Sequence, residues 1–215
     1  MNTDRSHYPL WEYFCRYGLR EHPILAQIRK DTALHPLSVM QIPPEQGQLL
    51  DFLMRLLQPQ RVLEIGCFTG YSSTCMGLAL GPSARLVTLE IDPSCAQQAQ
   101  HYWRQANISE RLEVRLGPAL ESLSQIPDQS FDFIFIDADK GHLMDYYEHA
   151  LRCLVVGGVA AIDNVLWSGR VAQPEVQDPD TMSIRALNSL VVVDPRVDMV
   201  LLPVADGLTL VRKKG

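Results

Sequence analysis

The sequence lacks any apolar run long enough to cross a bilayer. Its longest nearly unbroken stretch, Leu154–Ile162, contains two glycines and reads as a buried strand. It also lacks a secretory pattern: Met1–His7 is polar, and no apolar core with a small-residue cleavage site follows, so no signal peptide is expected. Cysteines are few and odd in number. Cys15, Cys67, Cys75, Cys95 and Cys153 never form a C-x-x-C pair, so reduced thiols in a cytoplasmic protein are expected. Positive charge is in deficit, with 19 Lys+Arg against 25 Asp+Glu, a net charge of −6 and a pI near 5.5. That balance disfavours holding nucleic acid by bulk electrostatics, although a local basic patch built by two subunits could still bind RNA. No repeat, low-complexity tract or Pro/Gly/Ser-rich linker divides the 215 residues.

What is present suffices for one sizeable core, since 47% of the residues are hydrophobic and 20% charged. The expected organisation is a single domain over 1–215, with a helical cap over 1–58 and an α/β core over 59–215. From about residue 60 the elements alternate. Val62–Ile65 is an apolar run ending at Gly66, and a helix from about Tyr71 to Leu80 stops at Gly81-Pro82. Leu86–Leu89 is the next strand, and Asp92-Pro93 opens a helix with proline in its first turn. Leu112–Leu116 is strand-like, and Pro118 starts a short helix. Phe131–Ile136, a helix from about His142 to Leu154, and Gly157–Ile162 follow. Apolar rather than alternating strands between helices imply a parallel sheet covered on both faces. The end differs: Val197–Leu202 and Leu208–Val211, joined through Asp206-Gly207, read as paired strands with the last one antiparallel. A helix starting at Pro43-Pro44 and running to about Leu57 belongs to the cap.

In open parallel sheets ligands sit beyond the carboxyl ends of the strands. The first such end reads Glu64-Ile65-Gly66-Cys67-Phe68-Thr69-Gly70-Tyr71-Ser72. Gly66 allows a tight turn and close approach to the backbone, and Gly70 lets the next helix begin near the strand. A dinucleotide fingerprint would need a glycine where Phe68 stands, so a cofactor without phosphates fits better. The second strand ends at Glu90, an acid suited to the two ribose hydroxyls of an adenosine. Each feature alone is often just a turn; acid, glycine turn and second acid in this order point to adenosine.

Two later strand ends carry hard oxygen groups, Asp137-Ala138-Asp139-Lys140 after Ile136 and Asp163-Asn164 after Ile162. Asp137, Asp163 and Asn164 offer oxygen ligands without sulfur or imidazole, which suits Mg²⁺, Mn²⁺ or Ca²⁺ rather than zinc. A single acid after a strand is more simply a helix cap. Two acids and an amide at two strand ends, with a lysine nearby, reverse that preference. Beside a divalent cation like charge disfavours an ammonium, so Lys140 can accept a proton. His142 is the weaker candidate base.

These residues carry a likeness. The chain resembles the cation-dependent O-methyltransferases, the group with catechol and caffeoyl-coenzyme A O-methyltransferases. The match runs from about Met40 to the C-terminus through MQIPPEQGQLL, VLEIGCFTGYSS, LEIDP, GPAL, FDFIFIDADK, YYE, GG, IDNVLWSGRV and LLPVADGLTL. The resemblance implies a class I (Rossmann-like) methyltransferase fold: a seven-stranded, mostly parallel sheet with helices on both faces and an antiparallel last strand, capped by N-terminal helices. It also implies S-adenosylmethionine as cofactor and, usually, a homodimer. It places Glu64, Gly66, Cys67 and Ser72 in the cofactor site, Glu90 on the ribose, Ala119 by the adenine, Asp139 facing the cofactor and Ile42 near its methionine end. Asp137, Asp163 and Asn164 match the family's metal ligands, Lys140 its base, and Ser168 a position that can meet substrate. Leu143 stands where relatives often carry tyrosine, a departure that leaves the metal set intact and puts in question the substrate pocket near that helix.

The expected reaction is in-line methyl transfer to one of two vicinal oxygens of a small catechol-like phenol, with Mg²⁺ as the foremost metal, Asp137 among its ligands and Lys140 as base. A hydroxylated wobble uridine of tRNA is the alternative acceptor, for which Arg16, Arg20, Arg29 and Lys30 could count. Readings of other classes are a nicotinamide oxidoreductase, disfavoured by Phe68, and a non-catalytic adenosine-binding module, disfavoured by Lys140 with its oxygen ligands.

Overall fold

Three helix starts in this chain pair a proline in the first turn with a side-chain cap before it, at His22, Asp92 and Asp178. The computed structural model describes residues 9–215; Met1–His7, and with it the expectation about a signal peptide, lies outside the described residues. Helix α1 spans Pro9–Gly18, α2 Pro23–Thr32 and α3 Pro44–Leu57. Helix α3 ends where Gln58 turns left-handed, its N–H donating to the Met54 carbonyl. Then come β1 (Arg61–Ile65), α4 (Tyr71–Ala79), β2 (Arg85–Glu90), α5 (Pro93–Gln105), β3 (Leu112–Leu116) and α6 (Ala119–Gln125). The chain continues through β4 (Phe131–Ile136), α7 (Leu143–Cys153), β5 (Leu154–Asp163), α8 (Pro179–Val191), β6 (Val197–Leu202) and β7 (Leu208–Lys213). Asp92 caps α5 by accepting the N–H groups of Ser94 and Cys95 at 2.7 and 3.1 Å. Asp178 does the same for α8 through the Thr181 N–H at 3.1 Å. Helix α8 has no counterpart among the expected elements, although Asp178-Pro179 repeats the Asp92-Pro93 start signal.

The seven strands form one sheet in the order β3-β2-β1-β4-β5-β7-β6. All neighbours from β3 to β5 run parallel, and β7 lies antiparallel to both β5 and β6. The expected antiparallel last strand is therefore present, but it is slotted inside the sheet and β6 takes the edge. Strand β5 begins earlier than expected because Leu154 already pairs with Phe131, with a register shift before Phe133.

Apolar residues on the two faces explain the layers. Leu63, Ile65, Ile134 and Ile136 face α6, α7 and α8, meeting Leu123, Tyr147, Leu151 and Ile184. Val62, Leu86, Phe133 and Phe135 face α3, α4 and α5, meeting Leu50, Met54, Met76 and Trp103. Phe133 and Phe135 are fully buried; truncating such a side chain to alanine costs about 3–5 kcal/mol. Helix α2 lies over α4 and α5. Its Leu25 and Ile28 join that cluster, Asp31 accepts from the Tyr102 hydroxyl at 2.8 Å, and Thr32 meets Thr69 at 2.8 Å. Among the described residues no helix is long and apolar enough to cross a membrane.

Candidate active site

Strand order reverses between β1 and β4, and that is where a parallel sheet leaves a crevice. A cavity of about 990 Å³ opens there, lined by residues after β1, β2, β3, β4 and β5. Neighbouring strands lie about 4.8 Å apart, so five strand ends span roughly 19 Å. Such a volume is at the upper end for one small ligand and leaves room for two.

On the β1–β2 side, polar groups are locked by their neighbours. Gly66, at φ +92°, is pressed so closely on the Asp137 carbonyl oxygen that a Cβ would collide with it. Glycine is required here by the approach of β1 to the end of β4. Glu90 lines the cavity, yet one carboxylate oxygen accepts the Cys67 and Phe68 N–H groups at 3.0 and 2.7 Å. Its other oxygen accepts those of Ile91 and Asp92 at 2.8 and 2.9 Å. One side chain therefore shapes both the glycine turn and the turn into α5. Glu64 sits behind the wall rather than on it. Fully buried, it accepts from the Ser72 hydroxyl at 2.5 Å and the Thr88 hydroxyl at 2.6 Å. Burial pushes its carboxyl up to about 7, against the pull of those two hydroxyls. Cys67, Ser72, Ala119 and Ile42 line the cavity, as does Ile91, which is 71% exposed and offers an apolar surface beside Glu90.

On the β4–β5 side, two acids share one buried lysine. Asp137 lines the cavity at the end of β4. Asp163, 1% exposed at the end of β5, lies just behind it. Burial raises the carboxyls of both, and the field of Asp137 raises Asp163 further. Lys140 is the compensating cation: it is 7% exposed, donates to the Asn164 amide oxygen at 2.8 Å and stands 3.9 Å from an Asp137 oxygen. Its ammonium lies 5.9 Å from the centre of the Trp167 ring.

Asp139 is a cap as well as a wall. It accepts the His142 N–H at 3.2 Å, meets the His142 ring at 2.7 Å and accepts from the Tyr146 hydroxyl at 2.6 Å. Burial raises its carboxyl, but Tyr146 and His142 more than offset this and leave it lowered. Leu143 is buried among α7 and sheet side chains, away from the cavity wall; the aromatic that helix α7 presents to the cavity is Tyr146. The first turn of α7 aims Leu143 at the core, so it takes no part in the cavity wall. Ser168 lines the cavity, together with Trp167, Arg170, Asp180 and Asp206. Trp167, Arg170 and Asp206 fall within the matched motifs without being singled out there as site residues, and Asp180 lies outside them. Their shared position depends on α8 and on the β6–β7 turn.

The donor set at this end fits a hard divalent cation. Asp137, Asp163 and Asn164 are all-oxygen, and two adjacent carboxyls, both raised by burial and Asp163 raised further by the field of Asp137, are what a dication would relieve.

The O-methyltransferase family model matches residues 16–214. The catechol O-methyltransferase domain-containing protein 1 of Mus musculus is 38% identical over 209 residues, covering 95% of this chain and 80% of its own length. The caffeoyl-CoA O-methyltransferase of Medicago sativa is 34% identical over 218 residues, covering 95% and 88%. Among solved structures, the O-methyltransferase TomG of Streptomyces achromogenes, involved in tomaymycin synthesis and in complex with S-adenosylmethionine, is 30% identical. It superposes with a TM-score of 0.90, with 100% of each chain covered.

Proposed function

The chain belongs to the S-adenosylmethionine-dependent O-methyltransferases, and from that premise we propose that it methylates one hydroxyl of a small catechol-like diol with the help of a divalent cation. The observation that carries the reading is the meeting of Asp137, Asp163 and Asn164 at neighbouring strand ends, with Lys140 2.8 Å from Asn164 and 3.9 Å from Asp137. Asp137, Asp163 and Asn164 would hold the cation, Mg²⁺ foremost. A bound dication supplies charge that favours loss of a proton from a neighbouring hydroxyl, and bound S-adenosylmethionine supplies an electrophilic methyl group.

The chain's own residues do the rest. Gly66, Cys67, Ser72 and Glu90 shape the cofactor end, while Trp167 and Ser168 wall the acceptor end. Lys140, once deprotonated, takes the hydroxyl proton on Nζ. With the cofactor bound, these walls would set the acceptor oxygen in line with the methyl carbon and sulfur. The new C–O bond would then form as the C–S bond breaks, and S-adenosylhomocysteine would leave. Holding both reactants at adjoining strand ends lowers the entropic cost of that alignment.

A small acceptor is favoured over tRNA by the charges on the wall. Asp180 and Asp206 line it, and Arg170 is tied to Asp178 at 2.8 Å. Arg29, one of the basic residues that could have met RNA, is held on both oxygens of Glu21 at 2.7 and 2.6 Å. The test is transfer of labelled methyl to catechol before and after exhaustive chelation. Activity should vanish with chelator and return with Mg²⁺ or Mn²⁺. Full activity in the chelated protein would show that the three oxygen residues are structural.

A further inference from the structure

The segment after the oxygen ligands runs through an uncommon backbone conformation. Asn164, Trp167, Ser168 and Gly169 hold φ of 60°, 48°, 51° and 79°. Elsewhere among the described residues, left-handed residues other than glycine stand singly along the chain. L side chains rarely adopt this region, so such a run persists only where the surroundings over-determine it.

Most of what over-determines it comes from the β6–β7 turn. The Val165 N–H donates to the Gly207 carbonyl at 3.2 Å, and the Leu166 N–H to the Asp206 carbonyl at 2.9 Å. The Ser168 N–H donates to an Asp206 carboxylate oxygen at 2.5 Å. Gly207, at φ +87°, lies so close to Leu166 that a Cβ would collide with that side chain. Helix α8 adds one contact, the Asn188 amide on the Val165 carbonyl at 2.8 Å.

We infer that Asp206 is a positioning residue for the transfer proposed above: its carboxylate caps the Ser168 N–H and so keeps Asn164 on Lys140, and Trp167 and Ser168 on the cavity wall. The inference rests on that proposed function. A charged acceptor makes a stronger bond to an N–H than a neutral one. The role nevertheless needs only an acceptor oxygen of the right reach, which asparagine also offers. A role through the electric field at Lys140 would need the charge itself.

Asp206→Ala and Asp206→Asn are therefore to be compared with the wild type. Mn²⁺ and S-adenosylhomocysteine binding are measured by calorimetry, and methylation of catechol by steady-state kinetics. Asp206 acts on Asn164 only through the segment it pins, so Asp206→Ala should weaken Mn²⁺ binding and raise the catechol KM by up to about ten-fold each, the lower end of what losing a direct partner of a metal ligand costs. S-adenosylhomocysteine affinity should stay within about two-fold, since its end of the cavity is held by other residues, and Asp206→Asn should recover most of both losses. An alanine variant that matches the wild type overturns the inference. So does an asparagine variant as impaired as the alanine one, which would assign the effect to charge. Equal losses of Mn²⁺ and S-adenosylhomocysteine with a lowered Tm would make Asp206 a fold residue only. A wild type that binds S-adenosylhomocysteine but neither Mn²⁺ nor catechol overturns the proposed function, and this inference with it, in a pattern separate from the variant results.

Discussion

At the ends of β1 and β2, two buried carboxylates have both oxygens occupied by donors, Glu90 by backbone N–H groups and Glu64 by hydroxyls. At the ends of β4 and β5, Asp137 and Asp163 lie in each other's field and are drawn toward protonation. Lys140 donates its hydrogen bond to the amide oxygen of Asn164 and stands 3.9 Å from Asp137. The first side is complete before any ligand arrives. The second sets two acids against one buried lysine, an excess of negative charge that the proposed cation would remove. Preorganised dipoles hold a ligand in one pose, whereas an excess of acids marks a place for chemistry, here the proposed cation.

The contrast breaks most severely at Lys140. Replacing it with alanine should lower kcat by about 10²–10⁴, the usual worth of a general base. S-adenosylhomocysteine affinity should barely move, because that binding belongs to the other side. A variant with near-normal kcat and an unchanged pH–rate profile, at confirmed metal content, would leave Lys140 a bystander.

The completed side can be tested through Glu64. Its folded value, about 7, lies above the ordinary 4.5. The stability this contributes is fully present below about pH 4.5 and is lost as pH rises through about 7. Over that window the metal-free wild type should lose up to about 3 kcal/mol, at about 1.4 kcal/mol per pH unit of separation. Glu64→Gln cannot ionise, so its stability relative to the wild type should rise by that order between pH 5 and pH 8. Urea unfolding at the two pH values checks it; a difference that stays constant would show that Glu64 ionises in place without cost.

A smaller effect is expected at Glu90. Alanine there removes a charged acceptor and should weaken cofactor binding about ten- to a hundred-fold, or about 1.5–3 kcal/mol. The wild-type carboxylate already serves four backbone N–H groups, so Tm should fall together with affinity. Unchanged cofactor affinity would confine Glu90 to shaping the turns.

Much of this was legible before the fold was known, and the reason is local. Gly66, Phe68 and Glu90 sit at strand ends that apolar runs announce, and Asp137-Lys140 and Asp163-Asn164 end the two most apolar runs of the second half. Parallel connectivity then brings those ends to one edge without further information. Proline and aspartate mark helix starts by the hydrogen bonds they make or forgo, and Pro44, Asp92 and Pro93 all open helices.

What the sequence alone determined is the alternation of apolar strands and capped helices, and with it the chemistry standing at each strand end. The tertiary structure alone decided which groups meet across long separations. Strand β7 enters between β5 and β6, which delivers Asp206 to Ser168, 38 positions earlier in the chain. The first turn of α7 sends Leu143 inward and Tyr146 to Asp139. Glu64 stands behind the wall because Ser72 and Thr88 close over it. None of these follows from periodicity, because a pattern of apolar positions states which face is buried and is silent on which buried groups touch. That is settled by strand order, register and the few ångströms by which neighbouring layers can approach.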